Sequence, residues 1–160
     1  MILAMKGTNT ITMTTTDRYL KDISELLIDS KLGYGDTSRR TDDPRLTDLL
    51  TGIGQGRIDK IATVSGLLED RGIRPPLSGT FKGMLHRVWI AIRDVVAHTD
   101  DVNMISECLR GESYLIGRVD AALRDDGVTE EVKEVLRVQR EELMDNLERI
   151  NLLNMSISEG

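Results

Sequence analysis

Between Leu46 and Leu68 the apolar residues Leu46, Leu50, Ile53, Ile61, Val64 and Leu68 fall on one side of a 3.6-residue repeat. The same period runs through Leu20, Ile23, Leu27 and Tyr34, through Ile105, Leu109, Ile116, Val119 and Leu123, and through Val132, Val135, Leu136 and Leu143. A strand would need alternation with period two. Stripes of this kind can be buried only by packing helix on helix, so the chain is expected to be all-α.

Helix-stop and helix-start residues divide the pattern into five segments. The first runs from Asp17, with Thr16 or Asp17 as N-cap, to about Arg40. Thr41-Asp42-Asp43-Pro44 then combines capping side chains with a proline tolerated in a first turn, and opens a helix ending near Arg71 before Gly72. Arg74-Pro75-Pro76-Leu77-Ser78-Gly79 is a loop, because neither proline has a donor. From Thr80 to about Ala97, residues Phe81, Leu85, Val88, Trp89, Ile92, Val95 and Val96 form one broad apolar face, as in an amphipathic cover helix. After Thr99-Asp100-Asp101 a fourth segment reaches about Asp125, and Thr129-Glu130-Glu131 opens the last, which extends to about Asn154.

Short breaks at Thr41 and Gly127 make two antiparallel hairpins, and the long stretch between them is a crossover. This predicts a ferritin-like four-helix bundle with an additional amphipathic helix in the crossover between bundle helices two and three. Periodicity alone leaves an ordinary five-helix array open. Residues 1–16 are expected to form a disordered leader, 17–154 the bundle and 155–160 a frayed tail. Gly52, Gly54 and Gly56 interrupt the second helix at about 1 kcal/mol each relative to alanine. Because Gly52 and Gly56 share a face, they are expected to mark the close approach of another helix, a functional kink being the alternative.

Several polar side chains lie inside these apolar arcs. Arg57 is central to the stripe of the second helix, and Glu112 falls inside that of the fourth segment. Ser30 lies between Leu27 and Tyr34, while Gln139, Asn146 and, on the flank, Glu142 belong to the last helix. All are near the midpoints of their helices, which predicts a polar layer with Arg57 and Glu112 as a buried ion pair. Two parallel hydrogen bonds from guanidinium to carboxylate would satisfy both groups.

Leu85-His86-Arg87-Val88-Trp89, Glu107-Cys108-Leu109-Arg110-Gly111-Glu112 and Leu147-Glu148-Arg149-Ile150 together carry a pattern. It resembles the bacterial ferritin-like four-helix-bundle family of unknown function, over most of Tyr19 to Leu153. The resemblance implies the bundle fold and brings no established reaction, substrate or cofactor. A stress-associated role is an expectation drawn from the bacteria that carry such proteins. Leu147 stands where a histidine is expected just before Glu148, which weakens the transfer of any metal site.

A di-iron bundle needs a Glu from each of two helices and a Glu-x-x-His pair from each of the other two. The two histidines, His86 and His98, fall on or just beyond the cover helix, and neither follows a Glu by three. No cofactor and no metal are therefore expected. The single cysteine, Cys108, reads as a reduced core thiol. Gly52-Ile53-Gly54-Gln55-Gly56-Arg57 lacks the Lys-Ser/Thr ending and the preceding strand of a phosphate loop, and no nucleophile elbow occurs.

A net charge of −6 argues against a nucleic-acid partner. No apolar run is long enough for a membrane span, and no signal peptide is evident. The reading is a cytoplasmic, non-enzymatic structural or interaction protein, acting as a homo-oligomer or with an unidentified protein partner. A metal-binding or di-iron-type oxidoreductase bundle with other ligands is the alternative. A third reading is an adaptor that presents Trp89 of the cover helix.

Overall fold

The computed structural model describes residues 12–78 and 101–159. Four helices account for most of them: α1 (Thr15–Ser38), α2 (Pro44–Asp70), α3 (Asp101–Arg124) and α4 (Glu130–Ser158). No strand occurs among the described residues. The cover helix expected over 80–97, with Trp89, His86 and His98, lies outside them, as does most of the expected leader.

Helix α1 begins two residues earlier than the sequence pattern suggests, because Thr14 is the cap. Its hydroxyl accepts from the Asp17 backbone N–H at 3.2 Å, and the Asp17 carboxylate accepts from the Thr14 N–H at 2.9 Å. This reciprocal capping box satisfies two donors that a helix start leaves without partners. In α2, Asp43 caps the Arg45 N–H and Pro44 occupies the first turn. The helix ends in a Schellman motif: Ile73 N–H reaches Leu68 C=O at 2.9 Å and Gly72 N–H reaches Glu69 C=O at 2.9 Å. That geometry needs a left-handed residue, and Gly72 supplies it at φ 73°. Helix α4 continues to Ser158, past the end expected at Asn154.

Contacts at the two ends fix the helix directions. At one end Thr16 Oγ1 donates to Gly127 C=O and accepts from Thr129 N–H, tying the start of α1 to the α3–α4 turn. Arg71, at the end of α2, donates to Asp17 at this same end. At the other end Thr41 donates to Asp101, the first residue of α3, and Arg45 donates to Ser156. The helices therefore run up, down, down, up. α1 packs on α2 and α3, and α4 on α3 and α2. The chain between α2 and α3 must consequently pass from one end of the bundle to the other.

The core is in two parts. Leu20, Ile23, Leu27, Val64, Leu68, Leu115, Val119 and Leu136 belong to the cluster nearer the Gly127 end. Tyr34, Leu46, Leu50, Ile53, Ile105, Cys108 and Ile150 form the other. On each helix, polar residues lie between the two clusters.

Candidate functional site

Arg57 on α2 sits between Ile53 and Val64 in the core stripe and is 0 % exposed. Its Nε donates to Ser30 Oγ on α1 at 2.9 Å, and its Nη2 donates to Glu112 Oε1 on α3. The Tyr34 hydroxyl donates to that same carboxylate oxygen at 2.8 Å, and the guanidinium carbon lies 5.6 Å from the Tyr34 ring centroid. Three helices thus meet around one guanidinium. Opposite charges in a dry interior attract strongly, but only hydrogen bonding of the remaining polar atoms offsets their desolvation.

That satisfaction is incomplete. Arg57 Nη1 and Glu112 Oε2 are buried and make no hydrogen bond among the described residues. The pair is therefore joined at a single carboxylate oxygen, rather than by the two parallel bonds the sequence suggested. Tyr34 takes the second donor position on Oε1, and the ring face supplies a cation–π contact.

One turn further along α2, Lys60 forms a second polar step. Its Nζ pairs with Glu142, and its backbone carbonyl accepts from Gln139 Nε2 at 3.4 Å. Lys60 and Gln139 are buried, whereas the Glu142 side chain is 56 % exposed. Glu142 therefore belongs to the rim of the layer rather than its interior. It reaches Lys60 beside a groove of about 260 Å³. Asn146 is half-buried, and no hydrogen bond among the described residues joins it to Arg57 or Glu112. Of the six polar residues expected here, Arg57, Glu112 and Ser30 come together directly, and Gln139 and Glu142 meet around Lys60. In the sequence Tyr34 fits an apolar stripe and Lys60 lies on the edge of one, so neither stands out as part of this layer.

The glycines of α2 are also placed differently from expectation. Gly52 and Gly56 face open space, whereas a Cβ on Gly54 would stand 3.3 Å from Tyr34 Cβ and 3.6 Å from the Lys31 carbonyl. The close approach is at Gly54, which lets α1 bring Tyr34 to the centre. Gly52 and Gly56 share a helix face, but which face of α2 meets α1 is set by the tertiary packing and is not encoded in glycine spacing.

The chemistry of this centre is that of a closed ion pair. Burial, the Glu112 charge and the neighbouring Cys108 raise the Tyr34 hydroxyl well above its ordinary pKa, against a lowering by Arg57. Burial, followed by the charges of Glu112 and Glu107, pushes the Cys108 thiol up as well, so the thiol stays protonated. The described residues contain no group of three or more His, Cys, Asp or Glu side chains placed to hold a metal ion. No helix among them is long and apolar enough to cross a membrane.

Among the described residues, fold and site together define an all-α arrangement of four helices with a buried, charged layer between two apolar clusters. Residues 15–125 match the family model described as a domain of unknown function, DUF2383. The match extends from the first residue of α1 to just past the end of α3, and the chain belongs to this family. No curated protein and no solved structure matches it.

Proposed function

We propose that this protein is a ferritin-like bundle with a structural or interaction role, carrying an amphipathic helix over 80–97 in its crossover. The up-down-down-up order, with a connection spanning the bundle, supports the ferritin-like reading because that fold has one long crossover between two hairpins. The observation that carries the functional reading is the Arg57 guanidinium, fully buried and engaged by Ser30, Glu112 and the Tyr34 ring. In iron-binding bundles the corresponding central space holds cations bridged by carboxylates. Here a fixed cation already engages Glu112, so the donor set does not fit a di-iron centre.

The alternative is a metal-binding or oxidoreductase bundle with other ligands. Its support is the pair of buried carboxylate oxygens Glu107 Oε2 and Glu112 Oε2, neither of which makes a hydrogen bond among the described residues. Metal analysis of protein purified without a tag separates the two readings. The structural reading expects no stoichiometric iron, manganese or zinc and a melting temperature unchanged by chelators. Stoichiometric metal, with a melting temperature lowered by its removal, would establish the alternative. A cytoplasmic, stress-associated setting, with self-association or an unidentified protein partner, completes the proposal; the acidic charge balance speaks for protein rather than nucleic acid.

A further inference from the structure

Helices α3 and α4 pack on one another, and between them runs a groove of about 750 Å³. Its floor is apolar. Leu109 of α3 packs on the core cluster of Tyr34 and Leu147 of α4 on that of Leu20, so the floor lies across both clusters. Met144 lines the α4 side and remains 39 % exposed. Asn151 and Met155 follow on the same side of α4, because seven and eleven residues at 100° per residue each return to within about 20° of Met144. Met155 is 53 % exposed, and the line from Met144 to Met155 is about 16 Å long, or about three turns of helix. Glu141, Asp145 and Glu148 edge this line, at spacings of four and three that put them in one row. All three are exposed, and none makes an ion pair among the described residues. Arg140, the arginine of the groove, is tied through its Nε to Asp120 of α3.

We infer that this groove docks a basic amphipathic helix of another protein, its apolar face on Leu109, Met144 and Leu147 and its lysines or arginines on Glu141, Asp145 and Glu148. The inference rests on the interaction role argued above, and adds to it a surface and the chemistry of the partner. Charge decides the occupant. Three neighbouring carboxylates repel one another beside an apolar strip, and a cationic helix relieves that repulsion while it covers the strip. A second copy of this chain would bring the same three carboxylates and a net charge of −6, setting like against like. The shape suits a helix, since an apolar stripe at i, i+3, i+4 and i+7 complements a groove between two antiparallel helices. Met144 suits it too, because an unbranched thioether adjusts to the side chains laid on it.

The probe is a fluorescein-labelled helical peptide with leucines at i, i+3, i+4 and i+7 and lysines flanking them, compared with an analogue carrying glutamate for every lysine. Anisotropy is followed as the full chain is added at about 0.15 M salt, where distant charges are screened. The lysine peptide is expected to bind and the glutamate peptide to stay free. Replacing the rim by Glu141→Gln, Asp145→Asn and Glu148→Gln together should weaken the lysine peptide about tenfold or more. Met144→Gln leaves the charge unchanged and should weaken it about threefold or more, which attraction between charges alone would not produce. Asp48→Asn, Asp59→Asn and Asp70→Asn together remove three exposed acids of α2, and should leave the affinity within about twofold. No binding of the lysine peptide, or equal losses in the two triple variants, would overturn the inference. So would a dimer in sedimentation that Met144→Gln dissociates, because a second copy would then fill the groove. These outcomes leave the interaction role standing, whose own failure appears separately as stoichiometric metal.

Discussion

The Tyr34 hydroxyl and the Arg57 guanidinium donate to the same oxygen of Glu112, Oε1, leaving Oε2 without a hydrogen bond among the described residues. Tyr34 is therefore part of the charged centre as well as of the apolar cluster. Tyr34→Phe removes the donor and keeps the ring. A buried hydrogen bond to a charged group contributes about 1.5–3 kcal/mol, so the urea midpoint should fall by that equivalent with an unchanged m-value. An unaltered midpoint would mean that the hydroxyl bond adds nothing to stability.

Arg57→Met or Glu112→Leu should each cost about 3–5 kcal/mol, since each strands a charge in a dry interior. The double variant should lose much less than the sum. A double-mutant cycle in urea measures the difference. Additive losses would show that the two residues do not stabilise one another.

The glycines of α2 should respond to alanine with opposite signs. Gly52→Ala and Gly56→Ala place a methyl in open space and should stabilise by about 0.5–1 kcal/mol through helix propensity. Gly54→Ala places a methyl 3.3 Å from Tyr34 Cβ, closer than ordinary contact, so α1 must shift with the tyrosine that holds Glu112, and the variant should be destabilised despite the same propensity gain. Thermal melts of the three variants check this; a stabilising Gly54→Ala would mean that α1 and α2 can separate without loss.

Burial raises the Asp17 carboxyl, but hydrogen bonds from Arg71 and from the Thr14 backbone and hydroxyl outweigh it and hold the pKa below the ordinary carboxylate value. A folded-state pKa below the unfolded one contributes stability that is complete above about pH 4 and is lost as pH falls through the folded value. Asp17→Asn should therefore be less stable than the native chain at neutral pH, and the gap should narrow on acidification below about pH 4. Unfolding midpoints across pH 2–7 test it. A gap independent of pH would assign the loss to capping alone.

Local rules made the helices readable. Pro44, Gly72, Gly127 and the 3.6-residue stripes each act within a few residues of where they stand, so their effects could be assigned without the rest of the fold. Arg57, Glu112 and Ser30 were legible for a related reason: a polar residue centred in an apolar stripe must find a buried partner. Lys60 was not, because it lies on the stripe's edge, where a lysine can equally reach solvent. Nor was the role of Tyr34, since its ring fits the core and only the position of Glu112 shows where its hydroxyl goes. Asp17 and Arg71 lie 54 residues apart and meet because α2 returns antiparallel to α1, a contact that depends on topology.

The two tight turns have a kinetic consequence. Packing is denser within each hairpin, α1 on α2 and α3 on α4, than between the hairpins. Each half can therefore assemble from partners near in sequence, with little loop entropy lost. Joining the halves brings Glu112 to Arg57, and the pairing that offsets the desolvation of those two charges becomes available only when α3 meets α2. Substitutions in this pair should accordingly act on the rate of unfolding far more than on the rate of folding.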